Sequence, residues 1–204
     1  MIEDKSQRET RIRFKTSPEY MELREERDSF KRKMLFLGFL TKTLKQNGVE
    51  AILVGGQAID LYTAGTFATT DIDLVVDNKT IAEKLLNRLG FGREANGLWL
   101  NKDLVVVVQV ISQSYSGDSE KLRKFKVKDY ELRVAAPEDL IQNRLYSAKF
   151  WKSNTQRDME ESIALLRIFA DSIDNAYLDK IAKENDIEDY LDKAKQYAFE
   201  ASNL

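Results

Sequence analysis

Two short apolar runs, "AILVGG" (Ala51 to Gly56) and "DIDLVVD" (Asp71 to Asp77), begin and end with residues that an ordinary core strand avoids. The gap between them has room for a helix of about two turns, expected over Gln57 to Tyr62, and a turn. The chain must therefore run strand, helix, strand in quick succession. Alternation along the second strand points Asp71 and Asp73 to the same face, roughly 6–7 Å apart along the chain. Two like charges at that distance repel by about 2–3 kcal/mol at an effective dielectric near 20. Either the pair sits in water at a strand end, or a cation relieves it. A hard ion such as Mg²⁺ takes one or two carboxylates and completes its octahedron with water and phosphate oxygens. The glycines Gly55 and Gly56, between a strand end and a helix start, let backbone N–H groups approach an anion. The plainer alternative for them is a tight turn.

The flanking sequence adds more strands, then helices. Residues 1–16 are polar with mixed charge and read as an arm. "SPEY" starts a helix with Ser17 at its cap and Pro18 in the first turn, and Phe30, Met34, Leu37, Leu40 and Leu44 carry its periodicity as far as Gln46. After the aspartate strand come a helix over Thr80 to Gly90, a strand or hairpin arm in "REANGLWLN", and an apolar strand from Asp103 to Ile111. "KFKVKDYELRVA" alternates like a hairpin. From Ala136 the pattern is helical, with helices expected near 137–151, 155–171, 174–185 and 187–201. The class is α+β: a small mixed sheet with flanking helices, followed by a C-terminal helical bundle. The divisions expected are an arm at 1–16, an α/β core at 17–135 and a helical region at 136–204.

Composition narrows the chemistry. The 204 residues contain no cysteine and no histidine. Disulfides, thiolate or imidazole metal sites and Ser-His-Asp triads are excluded. What remains is carboxylates, Lys and Arg, hydroxyls or a bound metal. Charge balances at −2 overall, but residues 1–47 and 121–133 lean basic and the last thirty or so lean acidic. The longest apolar run near the N-terminus, "MLFLGFL", is too short to span a bilayer. A cytoplasmic protein without membrane contact is the expectation. The basic hairpin with Lys121, Arg123, Lys124, Lys126 and Lys128 reads either as a solvated face or as a track for a nucleic-acid backbone. Trp99, Trp151 and Tyr62 are expected in the core.

"VGG", a short helix and then "TTDIDLVV", in that order and spacing, resemble the signature of the DNA polymerase β-like nucleotidyltransferases. The "GGxA…TxDIDL" form is most similar to the minimal nucleotidyltransferases and the abortive-infection-type toxins of that superfamily. The resemblance covers roughly residues 48–112. It implies a nucleotidyltransferase fold in which Gly55, Gly56, Gln57 and Thr70 hold an NTP such as ATP, while Asp71 and Asp73 bind Mg²⁺ (or Mn²⁺) and are catalytic. Those toxin-like relatives also carry a basic residue in a "K-L-x-A" helix and an "R-D" pair on the next one. Arg144 in "NRLYSAKF" and Asp158, after Arg157, match these positions, so the resemblance assigns catalytic roles to Arg144 and Asp158 and places Lys149 at the nucleotide. The residues themselves allow a second reading. Arg144 falls in the middle of the apolar stripe formed by Leu140, Ile141, Leu145, Ala148 and Trp151, and Asp158 lies on the apolar side of the next helix. A charge there needs a partner or a ligand, and an Arg144–Asp158 ion pair is the structural alternative.

The sequence departs from the family at two points. A third acid should return beside Asp71 and Asp73, yet the strand "DLVVVVQVI" offers Gln109, a poor ligand for Mg²⁺ and no base, in the nucleotide-facing position. Asp103, six residues away, is too distant along a strand to replace it. Gln57 also stands where many relatives have Ser or Thr. The expected activity is transfer of an NMP from an NTP to an acceptor hydroxyl on a protein, an RNA 3′ end or a small molecule. The alternative is a nucleotide-binding or interaction module that kept the fold and lost turnover. A third reading is the antitoxin or partner half of a two-component system, docking through the long N-terminal helix. A homodimer stays open.

Overall fold

Seven strands form one mixed sheet in the order β3-β4-β5-β2-β1-β7-β6. The strands are β1 (Ala51–Val54), β2 (Asp71–Val76), β3 (Gly92–Arg93), β4 (Trp99–Asn101), β5 (Val106–Ser112), β6 (Arg123–Val127) and β7 (Tyr130–Val134). The computed structural model describes residues 14–199. Eight α-helices accompany the sheet among the described residues: α1 (Pro18–Glu25), α2 (Ser29–Gln46), α3 (Gly55–Tyr62), α4 (Lys79–Arg88), α5 (Pro137–Tyr146), α6 (Thr155–Ile168), α7 (Asn175–Glu184) and α8 (Glu188–Phe199). The chain divides into two compact units. One comprises residues up to Gln57, Ala68–Ser116 and Arg123–Val134; the other comprises Ala58–Phe67, Gly117–Leu122 and Ala135 onward.

In the sheet unit, β2 is central, antiparallel to β1 and parallel to β5. β1 in turn lies parallel to β7, and the hairpins β3-β4 and β6-β7 close the two edges. Parallel neighbours need a crossover between them, and α4 supplies it between β2 and β5. Leu53, Ile72, Leu74, Val108 and Val110 are buried on one face of the central strands. Their alternate neighbours Val54, Asp71, Asp73, Val107 and Gln109 are only half-buried.

The single helix expected from Ser17 to Gln46 is two helices. Ser17 caps α1 as anticipated, its Oγ accepting from the Tyr20 N–H at 3.2 Å. The helix then stops at Glu25, because Asp28 accepts from the Lys31 N–H at 2.9 Å and caps α2. Glu26 Oε1 accepts from the Asp28 N–H at 2.8 Å. Short acidic side chains that bond the local backbone compete with helix propagation, and here they restart it. Of the arm expected at 1–16, residues 1–13 lie outside the described residues. Phe14 is buried, stacked on Phe39 at 5.0 Å and edge-on to Tyr20 at 5.1 Å.

The strand expected from Asp103 begins at Val106 instead. Asp103 and Leu104 form a turn, and Val105, exposed with φ 53°, redirects the chain. The Asp103 carboxylate accepts from Lys15 Nζ at 2.5 Å and from the Tyr20 hydroxyl at 3.2 Å. The Lys15 ammonium holds it below the usual carboxylate range. The cations of the basic hairpin are largely paired: Lys124 with Glu131 at 3.4 Å, Arg133 with Glu50 at 3.5 Å, and Lys128 with Glu22. Lys124 and Lys126 are exposed. A solvated face describes this hairpin, with exposed ion pairs that contribute little each.

In the helical unit, α5 continues into a π turn over Ser147–Trp151 that ends at Lys152 in the left-handed conformation, φ 54°. The wider turn rotates Trp151 off the stripe that buries Leu140, Ile141, Leu145 and Ala148. Trp151 is 69% exposed, against expectation, whereas Trp99 and Tyr62 are buried as expected. The Tyr177 hydroxyl on α7 donates to Asp139 Oδ1 at 2.6 Å and accepts from the Asp118 N–H at 3.2 Å. Lys121 pairs with Asp174 at 2.7 Å. Of the last helix expected at 187–201, residues 200 and 201 lie outside the described residues.

α2 packs against β7 through Gly38, where a Cβ would meet the Tyr130 ring at 2.5 Å and its Cβ at 3.0 Å. Alanine is about 1 kcal/mol better than glycine inside a helix, yet overpacking of this kind costs about 1–3 kcal/mol. Gly38→Ala is therefore expected to lower the urea midpoint rather than raise it.

Candidate functional site

The site begins where β1 ends. Val54 is paired with Asp73 across the antiparallel ladder, and Asp73 with Gln109 across the parallel one. Asp71 pairs with Val107 one step away on the same face. The chain leaves β1 at Gly55 with φ +64° and turns directly into α3. A Cβ on Gly55 would collide with Asp73 Oδ2 and lie 3.1 Å from the Asp73 Cβ and Cγ. Glycine is thus required twice, by the left-handed backbone and by the carboxylate pressed against it. This brings Gly55, Gly56 and Gln57, at the first turn of α3, together with Asp71, Asp73 and Gln109 in one unit. The first N–H groups of a helix have no intrahelical acceptor, and its positive end favours an anion.

Both aspartates are half-buried. Asp71 Oδ1 accepts from Thr69 Oγ1 at 3.3 Å. Thr70 is exposed, and Gln57 is fully buried. Gln109 pairs with Asp73 across the parallel ladder, and no cluster of three or more acidic ligands occurs among the described residues. Two carboxylates on one face, with no thiolate or imidazole in the chain, still fit a hard divalent cation that draws its remaining oxygens from phosphate and water.

Arg144, Lys149 and Asp158 belong to the helical unit. The Arg144–Asp158 pair, the structural alternative for these two charges, does not form; Arg144 pairs with Glu161 instead. Arg144 Nε lies 2.6 Å from Glu161 Oε2, off the N–H axis, so the contact is Coulombic rather than a directed hydrogen bond. Arg157 Nε donates to the other oxygen, Glu161 Oε1, at 2.7 Å. Glu161 is only 2% exposed and sits between two guanidinium groups. Asp158, one turn earlier and also buried, accepts from Ser147 Oγ at 2.9 Å. Burial pushes its carboxyl above the ordinary value, against the Ser147 hydrogen bond and the Arg144 charge, which lower it. Lys149 Nζ donates to Asp189 Oδ1 at 2.9 Å and to the Asp186 carbonyl at 2.5 Å.

Lys33 and Glu161 are buried charges that the apolar pattern of their helices signals in the sequence. Lys33 lies at helical spacing with Leu37, Leu40 and Leu44 and is 6% exposed. Glu161 lies four residues before Leu165, on the stripe that also holds Asp158.

A strand–glycine–helix joined to a D-x-D strand defines a nucleotidyltransferase-type core. A family model described as "Nucleotidyltransferase of unknown function (DUF6036)" matches residues 37–202, and the chain belongs to that family. Its fold is similar to that of an antigenic nucleotidyltransferase-like protein from Paracoccidioides brasiliensis, at 17% identity over 85% of this chain and 98% of that one, with TM-score 0.53. It is also similar to the antibiotic-resistance factor ANT(2'')-Ia, at 14% identity over 81% of this chain and 97% of that one, with TM-score 0.52. No curated protein sequence matches. Among the described residues no helix is long and apolar enough to cross a membrane.

Because burial raises the Asp158 carboxyl, the folded chain keeps a proton that the unfolded chain releases just above an ordinary Asp pKa near 3.9. In that window this group makes stability fall as pH rises. Asp158→Asn is expected to remove that slope, so its urea midpoint should gain on the wild type as pH rises above about 4.

Proposed function

We propose that this chain transfers a nucleoside monophosphate from an NTP, ATP being the first to test, to an acceptor hydroxyl with Mg²⁺ (or Mn²⁺) held by Asp71 and Asp73. The observation that carries the reading is the junction of Gly55 with Asp73: a helix N-terminus for phosphates, fixed directly against one of two same-face carboxylates. Membership of a nucleotidyltransferase family supports it. When bound, the ion neutralises phosphate charge and sharpens the acceptor oxygen as a nucleophile. The first turn of α3, starting at Gly55 and Gly56, receives the β- and γ-phosphates through its N–H groups. Asp71 and Asp73 orient the α-phosphate through the site they form. The acceptor oxygen bonds to the α-phosphorus, the bond to the bridging oxygen breaks, and pyrophosphate leaves with the electron pair while the hydroxyl proton passes to water. Such catalysis is mostly positioning and electrostatics, which suits a chain without histidine. Roles for Arg144, Lys149 and Asp158 toward the nucleotide rest on the resemblance alone.

Asp71→Asn and Asp73→Asn are each expected to abolish the thermal shift produced by ATP with Mg²⁺ and to lower transfer of α-labelled nucleotide by at least about 10²-fold, in line with losing a preorganised electrostatic group. No nucleotide-dependent shift in the wild type would overturn the reading.

Gln109 beside Asp73 favours a second reading, a nucleotide-binding module with little turnover. Gln109→Glu then restores a third carboxylate. A module that lost its base gains label transfer more than about tenfold in that variant, within the range of general-base contributions. An enzyme that needs only the D-x-D pair shows no such gain.

A further inference from the structure

Lys33 projects from the apolar stripe of α2 and is 6% exposed. Lysine is seldom buried this far, because its ammonium must keep polar partners. Its Nζ donates to the Thr69 carbonyl at 2.7 Å. Thr69 in turn donates its hydroxyl to Asp71 Oδ1 at 3.3 Å and lies two residues before it, where the chain turns into β2. All three residues belong to the sheet unit. One buried cation therefore grips the segment that delivers the first carboxylate of the D-x-D pair.

We propose that Lys33 is a positioning residue for the divalent-cation site: through Thr69 it fixes the Asp71 carboxylate beside that of Asp73. The inference rests on Asp71 and Asp73 being a metal-binding pair. Two carboxylates on one strand face repel, and without a brace Asp71 is free to rotate away. A site assembled in advance binds the ion without first reordering its ligand. Groups that orient a metal ligand in this way typically contribute 10–100-fold to metal affinity. The methylene stem of Lys33 fills the apolar stripe, so Lys33→Met keeps most of the packing and removes only the ammonium. Lys33→Arg keeps a cationic donor.

The test is a Mn²⁺ titration of the full chain, without nucleotide, followed by the electron paramagnetic resonance signal of free Mn²⁺. The wild type is expected to bind and Asp73→Asn to bind no longer. Lys33→Met should bind about tenfold or more weakly at an unchanged circular dichroism spectrum and thermal midpoint, with part of the affinity recovered in Lys33→Arg. Thr69→Val, which removes the hydroxyl on Asp71, should weaken binding in the same direction. A folded Lys33→Met with wild-type affinity overturns the inference while leaving the metal pair standing. If Lys33→Met does not fold, Thr69→Val decides, and wild-type affinity there overturns it. A wild type that binds no Mn²⁺, or binds it equally well as Asp73→Asn, removes the metal pair and this inference with it.

Discussion

The approach of Gly55 to the Asp73 carboxylate is the constraint on which the site depends. β1 pairs with β2 so that Val54 faces Asp73, and the next residue must turn away without a side chain. Any Cβ at position 55 would push the carboxylate aside, and its positive φ would add strain besides. Once the glycine is there, α3 starts within a residue of the aspartate, and a positive helix end meets a negative strand end. The rest of the sheet keeps the register: β5 sets Gln109 on the far side of Asp73, and α2 reaches the start of β2 through Lys33.

The helical unit solves a different electrostatic problem. Glu161 is enclosed, and two guanidinium groups from successive helices share its oxygens. Breaking such a set leaves a buried charge uncompensated, which is why networks of this kind specify one packing of their helices. Asp158 is held differently, by one hydroxyl and at a distance from Arg144 that leaves burial the dominant influence. Two acids one turn apart on α6 thus have opposite surroundings.

Local chemistry made much of this readable in advance. Ser17 and Pro18 announce α1, "VGG" announces the end of β1, and strict alternation announces the hairpin of β6 and β7. Misreadings came where a side chain chose a partner that periodicity cannot reveal. Asp28 captured the Lys31 N–H and broke a helix whose apolar pattern runs straight through. Arg144 had two buried acids on α6 within reach, and the apolar pattern admitted both. Trp151 completed an apolar stripe on paper, but the π turn changed the angular step from one residue to the next. The interior lysine and glutamate were visible as charges on apolar stripes, and only packing assigned Lys33 to Thr69 and Glu161 to its two arginines.

By itself the sequence determined the elements that depend on a few adjacent residues: the glycine turn, the same-face aspartate pair, the Ser17 cap and the absence of histidine and cysteine. Period and turn chemistry are properties of neighbouring residues, so they can be read without a fold. The tertiary structure alone decided which strand lies beside Asp73, that Gln109 stands opposite it, that Glu161 rather than Asp158 takes Arg144, and that Lys33, 36 residues upstream, donates to the Thr69 carbonyl. Those are long-range choices among partners of equal local merit, settled by strand register and by which charges must share the same buried space.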